Sequence, residues 1–284
     1  MPTVPVEGGS LYYEQRGSGP PLVFVHGGWQ DSVSWTPQVE YFADEYRVVS
    51  YDLRGHGRTG ATEASRYSLD LFVDDLEALL AALDIEQPIL VGMSVGGMII
   101  RAFLGRHPES ARGGVIGGPF QSMTAMEFPT DLNPFLSPVQ GVSQMASTLG
   151  SAATFRTLVT SMEATNGGTW LSLDADVRDQ TIAAAGNVSR TAYPEVFRLI
   201  YESDPVDISH VERPLLVLSG DHEAGRIKRQ GQQLAESVPH GRYQEIADAA
   251  HLVNQDNPEA FNEACSAFFA TMDSPSTDGF SNGD

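Results

Sequence analysis

The stretch that decides the fold is Gly92-Met93-Ser94-Val95-Gly96-Gly97, which stands between the apolar run Pro88 to Val91 and a helix-like segment ending at Arg106. A short apolar run, a serine flanked by glycines and then a helix describe a strand that turns sharply into a helix. Such a turn forces its central residue into strained backbone, and small neighbours leave room for it. The chain has 28 glycines among 284 residues, so the Gly-x-Ser-x-Gly spacing alone arises by chance roughly once in four chains of this composition. The surrounding pattern therefore has to carry the reading.

Working outward, further apolar runs bounded by Gly, Pro or Asp lie at Leu22 to Val25, Tyr46 to Tyr51, Gly113 to Ile116 and Pro214 to Ser219. Continuous apolar runs of this length are what strands buried on both faces of a parallel sheet look like. Between them come helix-period stretches, the clearest from Leu69 to Leu83, with Ser68 as N-cap and Asp70 in the first turn. Alternating strand and helix predicts an α/β fold with a mostly parallel sheet flanked by helices. From about Phe120 to Arg213 the alternation lapses into a Met-, Ser- and Thr-rich region too long for a structureless loop. The expected organisation is a core of residues 1–119 and 214–272, an inserted and mainly helical cap at 120–213, and a disordered tail at 273–284.

Composition narrows the partners. With 17 basic and 37 acidic residues the formal charge is −20, which repels nucleic acid and anionic membrane surfaces. No apolar run approaches the roughly 18–20 residues that cross a bilayer, and Met1 to Ser10 does not read as a signal peptide. A cytoplasmic protein is expected. The single cysteine, Cys265, excludes an internal disulfide and reads as a packed core residue. No close histidine pair suggests a metal, and no cofactor is expected.

The chemistry-bearing residues follow from Ser94. A nucleophilic serine needs donors aimed at an oxyanion, and the helix opening at Val95 offers one main-chain N–H. His26-Gly27-Gly28-Trp29 follows the run Leu22 to Val25, so the Gly28 amide is the second candidate. His26 is expected to brace this loop.

At this point the chain resembles the α/β-hydrolase superfamily over nearly its whole length. The resemblance is carried by Leu11-Tyr12-Tyr13-Glu14 with Gly17-Ser18-Gly19-Pro20, then His26-Gly27, Tyr51-Asp52-Leu53-Arg54-Gly55-His56-Gly57-Arg58 and the Ser94 motif, in the family's order. Within the superfamily it is most similar to small esterases, enol-lactonases, metal-free haloperoxidases and carbon–carbon bond hydrolases. The resemblance implies an acid after a later strand and a histidine near the end. Gly220-Asp221-His222-Glu223 follows Pro214 to Ser219, and the family's spacing favours Glu223 over the rival Asp221. His251, after the strand-like Arg242 to Ile246 and before a helix from Pro258, is the one histidine of seven in place. His56 is given a structural role.

The implied activity is hydrolysis of a carboxylic ester or lactone by Ser94, His251 and Glu223 through an acyl-enzyme. A perhydrolase, a haloperoxidase or a carbon–carbon hydrolase would share these residues, and a non-enzymatic ligand receptor on the same fold is the third reading. Dehalogenases and epoxide hydrolases on this fold place an aspartate where Ser94 stands. The expected partner is a small, largely apolar molecule and, at most, a second copy of the chain. Trp29, Met123, Phe128 and Trp170 are the candidates to line its pocket.

Overall fold

A computed structural model describes residues 1–120, 138–166 and 168–273. The chain opens with β1 (Thr3–Val6), β2 (Gly9–Arg16), β3 (Pro21–Val25), α1 (Thr36–Phe42), β4 (Arg47–Tyr51) and α2 (Leu69–Ala82). It continues through β5 (Ile89–Met93), α3 (Val95–Arg106) and β6 (Gly113–Gly117). Among the described residues four helices follow, α4 (Pro138–Leu149), α5 (Ser151–Asn166), α6 (Ala175–Asn187) and α7 (Ala192–Glu202). The sheet then resumes with β7 (Leu215–Gly220), α8 (Gly225–Glu236), β8 (Gly241–Ile246), α9 (Val253–Asp256) and α10 (Pro258–Asp273).

The eight strands form one sheet in the order β1-β2-β4-β3-β5-β6-β7-β8. β1 pairs with β2, and β2 with β4, antiparallel; every other pairing is parallel. Burial explains the apolar runs: β5 and β6 are buried at all five residues and β7 at all six, because helices cover both faces of the sheet. The expected strands and helices are present, with ends moved by one to three residues. The run from Pro88 becomes a strand that starts at Ile89 and carries on through Gly92 and Met93.

α2 shows how local sequence sets an element. Ser68 Oγ accepts the Leu71 N–H at 3.2 Å, a cap worth about 1 kcal/mol. Phe72, Val73, Leu76, Leu79 and Leu80 fall on the buried stripe, and Asp70 meets Arg106 of α3 at 2.5 Å. Cys265 is fully buried in α10, and burial pushes its thiol pKa up, away from thiolate chemistry. Among the described residues no helix is long and apolar enough to cross a membrane.

The topology also fixes where a site can form. The chain leaves β3 for β4 on one side and later returns to β5 on the other, so the connections after β3 and β5 diverge at the ends of neighbouring strands. Such a switch point opens a crevice at the carboxyl edge of a parallel sheet. The loop at 26–29 and the turn at Ser94 flank it, since Val25 and Gly92 are direct partners in the β3–β5 register.

Candidate active site

Ser94 has φ 52° and ψ −111°, outside both the helical and the extended regions that a side chain favours. Two neighbours explain how the chain holds this turn. A Cβ on Gly96 would sit 2.1 Å from the Val25 carbonyl oxygen, and one on Gly92 would sit 2.5 Å from the Gly96 main chain. Only glycine lets α3 approach β3 and β5 so closely. The Ser94 N–H donates to the Gly117 carbonyl at 2.9 Å, which ties the strained turn to the next strand.

Val95 is the first residue of α3, so its N–H lies outside the helix's own ladder. Neither it nor the Gly28 amide donates to another described residue. Both line a small cleft of about 30 Å³ that Ser94 and His251 also line. The Gly27 amide, in contrast, is taken by Gln30 Oε1 at 3.3 Å.

On the far side, Nδ1 of His251 lies 2.7 Å from Glu223 Oε2, and both side chains are almost wholly buried. A carboxylate only accepts, so the proton of this bond is on Nδ1, and Nε2 is left as an acceptor. Glu223 Oε1 accepts the Ala224 N–H at 2.8 Å and the indole N–H of Trp170 at 3.0 Å. Asp221 goes elsewhere. Its Oδ1 accepts the Ala249 N–H at 3.1 Å, and although burial pushes its carboxyl pKa up, the Ala249 and Asp248 amides hold it below the usual range.

The loop from Tyr51 to Arg58 is a scaffold. Asp52 accepts the Ser32 and Arg58 amides, each at 2.7 Å, and Arg54 is buried against Asp75 at 2.5 Å. His26 Nδ1 contacts the Gly27 carbonyl at 2.7 Å while its Nε2 accepts the Leu53 N–H at 3.0 Å. His56 repeats the pattern: Nδ1 contacts the Arg54 carbonyl at 2.9 Å and Nε2 accepts the Trp29 N–H at 3.1 Å. Each ring thus spends one nitrogen as donor and one as acceptor, the neutral form. Burial, the larger cause, pushes His56 down to about 3 and lowers His26 as well.

Ser94 and His251 line one apolar cavity of about 300 Å³ together with residues of α4, α5 and α7. Trp29 and Trp170, two of the expected lining residues, are on its wall; Met123 and Phe128 lie outside the described residues. Trp29 stacks on Tyr193 at 5.2 Å and tilts against Phe155 at 5.4 Å. Sequence reasoning passed over Phe197 and Ile200 of α7 and Arg226 and Gln230 of α8, which also line it. The signal was available: Tyr193, Val196, Phe197 and Ile200 recur at helical spacing, and residues 226 and 230 share one helix face.

A serine held in strained backbone, free amides beside it and a histidine backed by a buried carboxylate suit nucleophilic attack on a carbonyl. Comparison with known proteins agrees at the level of family. Over 266 residues the chain is 28% identical to (E)-2-((N-methylformamido)methylene)succinate hydrolase of Acinetobacter baylyi, covering 92% of this chain and 95% of that protein. It is 24% identical over 262 residues to 3-oxoadipate enol-lactonase 2 of the same organism, covering 87% and 88%. The enol-lactonase structure from Burkholderia xenovorans LB400 shares the fold with a TM-score of 0.77 at 23% identity, covering 95% of this chain and all of that one. The sequence pattern of the alpha/beta hydrolase fold matches residues 20–258, and the chain belongs to that family.

Proposed function

We propose that the protein is a serine hydrolase that cleaves a carboxylic ester or lactone, with Ser94 as nucleophile, His251 as general base and Glu223 as the acid that orients it. The observation that carries this reading is the 2.7 Å bond from Glu223 to His251, a histidine that lines the same cavity as the strained Ser94. Ser94 Oγ attacks the carbonyl carbon and its proton passes to His251 Nε2. The oxyanion takes the amides of Gly28 and Val95, whose donors stand ready before charge develops. Collapse of the tetrahedral intermediate breaks the bond to the leaving oxygen, which takes the proton from Nε2. Water then repeats the sequence on the acyl-enzyme and releases the acid.

The wall of the cavity supports a substrate with an apolar body. Phe155, Val159, Met162 and Trp170 present hydrocarbon and ring surface, and Arg226 is the one charged side chain among the described lining residues. Helices α4, α5 and α7, whose residues line the pocket, are read as part of the cap that roofs it.

A panel of p-nitrophenyl esters and lactones, run with the wild type, Ser94→Ala and a fluorophosphonate probe, tests the proposal. Turnover with Ser94-dependent labelling is expected. Hydrolysis that survives in Ser94→Ala would remove the nucleophile.

A further inference from the structure

Glutamate in the acid position poses a geometric problem. It carries one more rotatable bond than aspartate, so a glutamate that orients a histidine must be held by more than that one bond. Here Oε2 meets His251, and Oε1 is held by the Ala224 amide and by Nε1 of Trp170 at 3.0 Å. The backbone donor is local to Glu223. The indole comes from the insertion, 53 residues earlier in the chain.

Trp170 is itself fixed by main chain. The His251 N–H donates to the Trp170 carbonyl and the Leu252 N–H to the Leu171 carbonyl, each at 3.0 Å, so the two segments run as a short ladder. Asp256 locks it, accepting the Ala250 amide at 2.7 Å, the Leu173 amide at 3.1 Å and the Ser172 hydroxyl. The indole then lies flat on the imidazole, with centroids 4.7 Å apart and planes 28° from parallel. Imidazole, carboxylate and indole therefore share one rigid frame.

We propose that Trp170 is a positioning residue: its indole N–H holds Oε1 of Glu223 so that Oε2 is presented to His251 in a single geometry. The proposal rests on the reading of Glu223 as the triad acid. A charge-assisted N–H bond to a buried carboxylate is among the stronger ones, and small losses of alignment at a proton-transfer pair are costly. The effect belongs to the chemical step, because Trp170→Phe keeps an apolar ring on the cavity wall.

The test is steady-state kinetics on Trp170→Phe, on Trp170 replaced by 3-benzothienylalanine, which keeps the shape of indole but has no N–H, on Glu223→Asp and on the double variant Trp170→Phe/Glu223→Asp. Both Trp170 replacements are expected to lower kcat about tenfold with KM within twofold. In the Glu223→Asp background, where the shorter side chain withdraws from the indole, Trp170→Phe should cost less than a further twofold. Undiminished kcat with the benzothienyl residue, a loss confined to KM, or losses that simply multiply in the double variant would overturn the proposal alone. Turnover that persists in Ser94→Ala would instead overturn the triad reading and this proposal with it.

Discussion

The main-chain N–H of Trp29 donates to Nε2 of His56 at 3.1 Å, and this bond joins the loop after β3 to the loop after β4. Trp29 has φ 61°, a left-handed conformation that a large side chain adopts only when its surroundings hold it there. His56 and His26 meet at 5.2 Å, edge to face, and their four ring nitrogens are all engaged with main chain. The pair is a brace for the segment that presents Gly28, and it works only while both rings are neutral.

Acid should therefore loosen the protein through these two rings. Unfolded histidine takes up a proton near pH 6.5, whereas burial and the neighbouring His26 push folded His56 down to about 3, and His26 is lowered by burial. Below about pH 6.5 the unfolded chain binds protons that the folded chain refuses. Stability is accordingly full above that value and falls as pH drops, by up to about 1.4 kcal/mol per pH unit for each ring. Urea unfolding at pH 7.5, 6 and 5 measures the slope. His56→Asn should flatten it relative to wild type, because one of the two rings is gone; equal slopes would exclude His56 as a source.

The backbone at Ser94 predicts an inverted stability ranking of two variants. Alanine inherits the positive φ of 52°, whereas glycine adopts it without strain. Ser94→Gly should be more stable than Ser94→Ala by about 1 kcal/mol, against the usual penalty for glycine. Chemical denaturation decides it, and Ser94→Ala proving the more stable would mean that the turn stores no strain.

The two acids near the end of β7 separate cleanly. Glu223→Gln should lower kcat by about 10³–10⁴, the scale expected when an orienting carboxylate becomes an amide that disfavours the working tautomer. Asp221→Asn keeps an oxygen for the Ala249 amide and should change kcat by less than about threefold. Comparison of the two kcat values on one ester is the measurement. The opposite pattern would transfer the role to Asp221.

The sequence made the sheet legible because its strands are buried on both faces and read as unbroken apolar runs, as in β5, β6 and β7. Ser94 and the Gly28 loop were legible for a different reason: close approach at Gly96 and Gly92 leaves glycine as the residue that fits, and glycine shows in sequence. Trp170 shows the limit of that kind of reading. It stood out as an apolar residue suited to a pocket wall, and it does line the cavity. Its bond to Glu223 depends on residues 170–173 lying along 250–252, a pairing between irregular segments with no periodicity to announce it. Arg54 with Asp75 escaped in the same way, since a buried ion pair between a loop and a helix leaves no local signature.

Arg226 bears on which molecules enter the pocket. It sits in the first turn of α8, half-buried, on the wall of the cavity that holds Ser94 and His251. Nearby Lys228 is paired with Glu245 at 2.7 Å, but Arg226 has no hydrogen bond or ion pair with another described residue. A cation with no partner among the described residues, beside an apolar surface that water solvates poorly, predicts a preference for a ligand whose far end is anionic. In a chain of net charge −20 such a local cation offsets part of the repulsion that an anion meets. Arg226→Gln should raise KM about tenfold for an ester bearing a carboxylate remote from the scissile carbonyl, and by less than about twofold for the neutral amide of the same shape. Added salt should raise the wild-type KM of the charged ester and leave that of the variant level or lower it, because only repulsion from the net charge remains to be screened. The ratio of the two KM values is the measurement, and a ratio unmoved by the substitution would exclude Arg226 from substrate selection.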